Sequence, residues 1–429
     1  MTAEVVIMNK SAVAMAADSA VTIGNGRKIY NSVNKLFSIS RNHPVGIMIY
    51  GNGEFMHHPW ESIIKEYIKS VDGKSHSTLK EYAFDFVQFI ESRTDLFSEN
   101  LQDEKFKSCT RGLLNHIKQR IDEKIKTLLE SEDSIEDTAV SETTSSVISS
   151  EHAKLVGSNK LHAIPETHSQ DLLNRYKTWI NEEIVNIFQK LPLEPSSVGI
   201  LVEMCAMIHC VDVFPFGKSG VVFSGFGESE IFPSTVAFDI ESLTLNKLKY
   251  SIFASDSIDT KSDGSILPFA QEDVVRSFME GFHPSYSKVL TGYLKQLFNS
   301  YPERLLETIP GIPDEQRKDI LKKHKEIGQR MFEVFNERID EFKHERHINP
   351  IMNAVAFLPK DELASMAETL INLTSFKRRI SMEIETVGGP VDVAVISKGD
   401  GFVWIKRKRY FEMEPNSGFS RNFKDFSTL

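Results

Sequence analysis

The sequence predicts an α+β fold, and three observations carry the prediction. Strand-like segments open the chain from its second residue, strand pairs recur in the middle and at the end, and long stretches of helical period separate them. The opening run alternates through Val5 and Ile7, turns at Asn9-Lys10-Ser11, and continues as Ala12-Val13-Ala14-Met15-Ala16-Ala17, which reads as two core strands. Gly24-Asn25-Gly26 has the residue types of a turn with positive φ. Lys35–Ile39 and Val45–Tyr50 read as a further strand pair.

The period then changes. Trp60, Ile63, Ile64, Tyr67 and Ile68 follow helical spacing, and Tyr82, Phe84, Phe86, Val87 and Ile90 mark a second helix. Phe106, Leu113, Leu114, Ile117, Ile121, Ile125 and Leu128 lie along a third. The segment SEDSIEDTAVSETTSSVISSEHAK carries few large apolar groups to offset its ordering entropy and reads as a flexible linker at about 130–165. Helix resumes near 172–191. Strands are expected at 220–226, 235–240 and 249–254, followed by a helix from about Pro268 through Val274, Val275, Phe278 and Met279. A charged amphipathic helix spans 316–346, either packed on its own chain or forming a seam between subunits. The chain closes with a helix at 360–379 and strands at 391–397 and 401–406.

Composition narrows the function classes. The chain has 429 residues and a formal net charge of −10, 60 acidic side chains against 50 basic, which argues against nucleic acid as a partner. Three cysteines without a C-x-x-C spacing fit free thiols in a reducing compartment. No apolar run has the length of a membrane span and no secretory signal opens the chain, so the expected location is the cytoplasm. His57-His58 and the HERH run at 344–347 lack zinc-like spacing, and no nucleotide-binding glycine fingerprint is present. No metal or cofactor is expected.

The chemistry lies at the start. Met1 is followed by Thr2, a small residue after which the initiator methionine is removed. A chain beginning at Thr2 carries a free α-amine beside a β-hydroxyl. With a reference pKa of about 7.7–8.0, such an amine is partly neutral near pH 7 and can act as general base for its own hydroxyl. Lys35 would favour the alkoxide and Asp18 would hold and balance the ammonium, provided their strands lie beside the first. Thr, Asp and Lys are common, and composition alone does not single these three out.

Their setting does. The segments TAEVVIMNKSAVAMAADSAVTIGN, NKLFSI and IMIYGNGE resemble the opening of proteasome β-type subunits, of the bacterial proteasome-homologue type within the N-terminal nucleophile (Ntn) hydrolase superfamily. The tail VGGPVDVAVISKGDGFVWI resembles the strand pair that closes that fold. The resemblance implies an αββα four-layer sandwich with helical insertions. It also implies Thr2 as nucleophile with Asp18 and Lys35 as its electrostatic pair, and the Gly51 N–H as oxyanion donor. Val21, Thr22 and Ile49 would bind substrate. The family's Arg after the Asp is Ala20 here, and its Ser turn and Asp-x-x-Ser have no clean match. Ser265 and Glu385 are the nearest candidates for that supporting network, beside Ser257, Ser262, Glu383 and Thr386.

The expected organisation is a core at 1–97, a helical insertion at 98–217, core at 218–285, a second insertion at 286–354, and closing core with a tail at 355–429. The expected activity is peptide-bond hydrolysis through an acyl ester. A peptide or unfolded protein would be the substrate, and the chain would self-associate into a ring or helical array. An Ntn amidohydrolase acting on a small molecule and a non-catalytic structural member of the fold are the alternatives. An unfoldase partner is not readable from the sequence.

Overall fold

The computed structural model describes residues 2–23, 28–30, 33–40, 43–131, 136–381 and 387–409. In chain order, β1 (Ala3–Asn9), β2 (Val13–Ala17), β3 (Val21–Ile23), β4 (Lys28–Tyr30), β5 (Leu36–Ser38) and β6 (Val45–Gly51) come first. The short pair β7 (Glu54–Phe55) and β8 (His58–Pro59) leads into α1 (Trp60–Val71) and α2 (Leu79–Ser92). Four helices follow: α3 (Glu99–Ser131), α4 (Asp137–Val156), α5 (His168–Phe188) and α6 (Pro195–Met207). Next are β9 (Ser219–Gly225), β10 (Ser234–Thr244), β11 (Lys247–Ser257) and β12 (Gly264–Ala270), then α7 (Asp273–Glu280), α8 (Pro284–Glu307) and α9 (Asp314–Lys343). A π-helical turn (His344–Ile348), α10 (Asn349–Phe357), α11 (Lys360–Ile380), β13 (Asp392–Ser397) and β14 (Gly401–Lys406) complete the described elements. The chain is mixed α+β, with antiparallel sheets and helices, and divides into two compact units.

The first unit comprises residues 1–36, 231–234 and 257–429. Its five-stranded sheet has the order β12-β1-β2-β13-β14. β1 runs antiparallel to β2, with Glu4 opposite Ala17, and to β12, with Ala3 opposite Ala270. Alternation along β1 separates two faces. Ala3, Val5 and Ile7 share a core cluster with Leu363, Ala364, Ala367, Leu370 and Ile371 of α11 and Val355 of α10. Small side chains at Ala12, Ala14 and Ala16 occupy the same cluster and let the helix lie close to the strand. Thr2, Glu4, Val6 and Met8 belong to the opposite face.

The second unit comprises residues 37–230 and 235–256. Its sheet has the order β11-β10-β9-β6-β5 and carries α1 and α2 on one face. Tyr67, Phe86 and Phe223 meet there, with the Tyr67 and Phe86 rings edge to face at 4.9 Å. Thr78 starts α2 by accepting the Glu81 N–H while the Glu81 side chain accepts the Thr78 N–H, which closes a capping box. Helices α3 to α6 form a second core around Phe106, Leu114, Ile180 and Leu201. Each unit therefore contains a five-stranded sheet with helices packed on it, as an α+β chain requires to bury an apolar sheet face.

Two local expectations change. The segment expected as a flexible linker contains α4, whose Thr144, Ile148 and Leu155 are buried; sparse apolar residues suffice because α3 and α6 supply the rest of the core. The helix expected from Pro268 begins at Asp273, and Pro268 lies in β12 opposite Val5. Proline is tolerated there because β12 is an edge strand, where a missing N–H need not interrupt a ladder. The helix expected at 316–346 is α9, paired with α8, with Ile327, Met331 and Phe342 each about half exposed. The turn expected at Gly24-Asn25-Gly26 lies outside the described residues.

Candidate active site

The first unit brings Thr2, Asp18 and Lys35 together. Thr2 stands at the head of β1, Asp18 directly follows β2, and Lys35 precedes β5. Antiparallel pairing of β1 with β2 sets Asp18 beside Ala3: the Asp18 N–H donates to the Ala3 carbonyl, and the Ala3 N–H returns a bond to Asp18 Oδ1 at 3.1 Å. The other oxygen, Oδ2, accepts the N–H groups of Ala20 at 3.3 Å and Gly388 at 3.0 Å. Lys35 Nζ lies 2.7 Å from Asp18 Oδ1, 2.6 Å from the Ala20 carbonyl and 3.1 Å from Thr2 Oγ1. The three donors of one ammonium thus each find an acceptor.

All three side chains are buried. A lysine and an aspartate withdrawn from water cost several kcal/mol each in solvation, about the scale that only paired, fully hydrogen-bonded charges offset. Here the carboxylate has four donors and the ammonium three acceptors, so the geometry meets that condition. Its consequence for Thr2 is electrostatic. The hydroxyl oxygen accepts a bond from a cation and has its own proton left to give.

Glu4 lies two residues further along β1, on the same face as Thr2. Its carboxyl is fully buried, and neither oxygen has a hydrogen-bond partner among the described residues. Burial pushes it well above the usual carboxylate range; Lys35 pulls it part of the way back and Asp18 pushes it further up. Gln271, just past β12, donates its N–H to the Thr2 carbonyl at 3.1 Å. Gln271 also lines a cavity of about 730 Å³ together with Asp273, Arg276, His283, Lys377 and Arg378. Asp273 holds Lys377 at 3.1 Å and Arg378 at 3.0 Å, and these cations keep its carboxyl below the ordinary range against the opposing effect of burial.

The remaining expected residues are placed differently. Ser265 pairs with Met8 at the far end of β1, roughly 20 Å along the strand from Thr2 at the usual rise per residue. The chain position beside Thr2 is Gln271, so Ser265 does not join the cluster. Ile49 belongs to the apolar core of the second unit with Trp60 and Phe86. Val21 and Thr22 lie on β3, paired with Tyr30 and Ile29. Gly51 ends β6 in the second unit with φ +83°, and a Cβ there would meet the Lys218 carbonyl oxygen at 2.6 Å, so the position requires glycine. Glu385 lies outside the described residues, as do Glu383 and Thr386.

Two contributors, Gly388 and Gln271, escaped the sequence reading because both act through backbone N–H groups, which no side-chain pattern reports. The Gly388-Gly389 pair beside a strand was the available signal for the first. Among the described residues there is no cluster of three or more metal-ligating side chains, and no helix is long and apolar enough to cross a membrane.

Comparison with known proteins corrects the family reading. No family model matches the chain, and no curated protein matches it. Solved structures similar to it include Anbu (ancestral beta-subunit) from Yersinia bercovieri, at 9% identity and TM-score 0.32 over 100% of this chain and 97% of that one. The helical assembly of the Anbu complex from Pseudomonas aeruginosa is similar at 8% identity and TM-score 0.31, over 99% and 95% of the two chains. An Anbu (Gly-1) mutant from Hyphomicrobium sp. strain MC1 gives 9% identity and TM-score 0.30, over 100% and 98%. Likeness this slight carries no argument about chemistry. Membership among proteasome β-type subunits, expected from the resemblance at both ends of the chain, is withdrawn. The α+β architecture rests on the sheets themselves.

Proposed function

We propose that this chain, once trimmed to begin at Thr2, hydrolyses peptide bonds with the Thr2 hydroxyl as nucleophile. The observation that carries the reading is the single buried Lys35 ammonium bonded at once to Thr2 Oγ1 and Asp18 Oδ1. In the trimmed chain the α-amine takes the hydroxyl proton, Oγ1 adds to the substrate carbonyl, and Lys35 favours the developing negative charge on Oγ1. The amine then returns that proton to the departing nitrogen, which leaves an acyl ester for water to clear. Asp18 keeps Lys35 in place and in charge balance. The cavity beside Gln271 gives substrate room next to the Thr2 strand.

Self-association belongs to the same proposal. Tyr286, Val289, Tyr293, Leu297 and Tyr301 recur at helical spacing on α8, and all are exposed. A stripe of that size is costly to leave in water and suits a second copy of the chain.

The test is a fluorogenic peptide library offered to the wild type, Thr2→Ala and Thr2→Ser, with removal of Met1 verified by intact mass. Thr2→Ala should lose at least about 10³-fold in rate, the scale seen when a nucleophile is removed, and Thr2→Ser should retain a measurable fraction. Hydrolysis by Thr2→Ala at the wild-type rate would refute the assignment.

A further inference from the structure

Charge accounting at the site exposes a gap. Lys35 and Asp18 balance each other. The trimmed chain adds a third ionisable group, the Thr2 α-amine: while it holds the hydroxyl proton the oxyanion meets its charge, but at rest, with a reference pKa of about 7.7–8.0, it is largely protonated near pH 7 and is a second cation beside Lys35. Neither member of the existing pair is left to balance that charge. Glu4 is buried on the same sheet face, and two residues along a strand set its Cβ about 7 Å from that of Thr2, which brings its carboxyl into the roughly 4–6 Å range where an opposite charge favours an ammonium. Both of its oxygens are without hydrogen-bond partners among the described residues. An orphaned carboxyl inside a strand is unfavourable when neutral and far more so when ionised. Its neighbours in register, Ala17 on β2 and Phe269 on β12, offer it no polar group. The charged groups it feels among the described residues are Lys35 and Asp18.

We propose that Glu4 is the counter-charge of the Thr2 α-amine, a positioning residue that stabilises the ammonium formed when the amine takes the hydroxyl proton. The proposal rests on the nucleophile reading above. The steps balance without further reactants. Thr2 Oγ1 forms a bond to the carbonyl carbon, the carbonyl π pair moves to its oxygen, and the Oγ1 proton moves to the amine. When the carbon–nitrogen bond breaks, that proton leaves on the departing nitrogen; the Glu4 carboxyl, whose ionised form the neighbouring ammonium favours against burial, gives and takes no proton in either step. Acting through the amine, Glu4 touches no substrate.

The experiment uses full-length chains with Met1 removed, confirmed by intact mass, as wild type, Glu4→Gln and Glu4→Asp. Acetylation of the Thr2 α-amine by acetic anhydride is followed against pH by peptide mapping, and hydrolysis of the fluorogenic library is followed over the same range. Loss of a neighbouring carboxylate disfavours the ammonium. In Glu4→Gln the amine should therefore titrate about one pH unit lower, and the acid limb of the rate profile should move with it, while the plateau rate falls roughly tenfold. Glu4→Asp, which keeps the carboxyl, should fall between the two. A merely structural role would change the plateau without moving the titration. Coincident amine titrations in the wild type and Glu4→Gln overturn the proposal, as does a Glu4→Asp shift as large as that of Glu4→Gln. The titration needs no substrate, so failure of the nucleophile reading, seen as an active Thr2→Ala, remains separable from failure of this one.

Discussion

At the scale of single residues, the site depends on one buried cation. Lys35 spends its three donors on a hydroxyl, a carboxylate and a carbonyl, and each of those acceptors would be left wanting if it were removed. Lys35→Ala strands the Asp18 carboxylate in the interior. Breaking a buried pair from one side costs about 3–5 kcal/mol, although the three backbone N–H groups on Asp18 hold the loss toward the lower end. Urea unfolding should show that loss together with abolished peptide hydrolysis. A Lys35→Ala chain as stable as the wild type would mean that the pair is not formed. Thr2, Asp18 and Lys35 were singled out in the sequence by the segments around them, which resemble a known family; the residue types alone are too common to do so. Gln271 was not, since its N–H would be the same on any residue but proline. Ser265 misled for a related reason: hydroxyls near a strand end are frequent, and only the register of β12 against β1 shows which end faces Thr2.

Among the elements, the helices α3 to α6 make a core of their own, and His209 tests how tightly it closes. The ring is fully buried, stacks on Phe106 with centroids 4.9 Å apart, and neither nitrogen has a partner among the described residues. Burial drives its basicity well below the ordinary range, and Lys249, His168 and Lys105 push in the same direction. The unfolded chain takes up a proton near the usual histidine value of about 6.5, and the folded one does not. Stability from this residue is therefore complete above that pH and is lost as pH falls, by about 1.4 kcal/mol per unit. His209→Phe should keep the stack and flatten that slope in urea titrations from pH 7.5 to 5.5. An unchanged slope would place the ring in contact with water. The same bundle shows why α4 was hidden from periodicity. It buries only Thr144, Ile148 and Leu155, and what fixes it is the surface offered by α3 and α6. Strands β9 and β13 were readable because buried runs bounded by turn residues leave few alternatives, whereas β12 carries a proline that local rules assign to a helix start.

For the whole molecule, the exposed apolar stripe on α8 predicts association. Light scattering after size exclusion should give a mass above that of the 48.7 kDa chain. Tyr293→Glu, at the middle of the stripe, should lower it without altering the melting temperature by more than a degree or two. A wild type that elutes as a monomer at micromolar concentration would remove the stripe from the account. Segments far apart in sequence meet in the first unit: β1 and β2 share one sheet with β13 and β14, and Gly388 reaches Asp18. That pairing makes the site depend on strands drawn from distant parts of the sequence. The central claim is that the Thr2 oxygen, primed by its own amine and Lys35, attacks a carbonyl. The most direct measurement is intact-mass and tandem mass spectrometry of the trimmed chain after exposure to a peptide β-lactone. The account predicts one acyl adduct on Thr2 in the wild type and none in Lys35→Ala; an adduct on any other residue, or an unmodified Thr2 in the trimmed wild type, would contradict it.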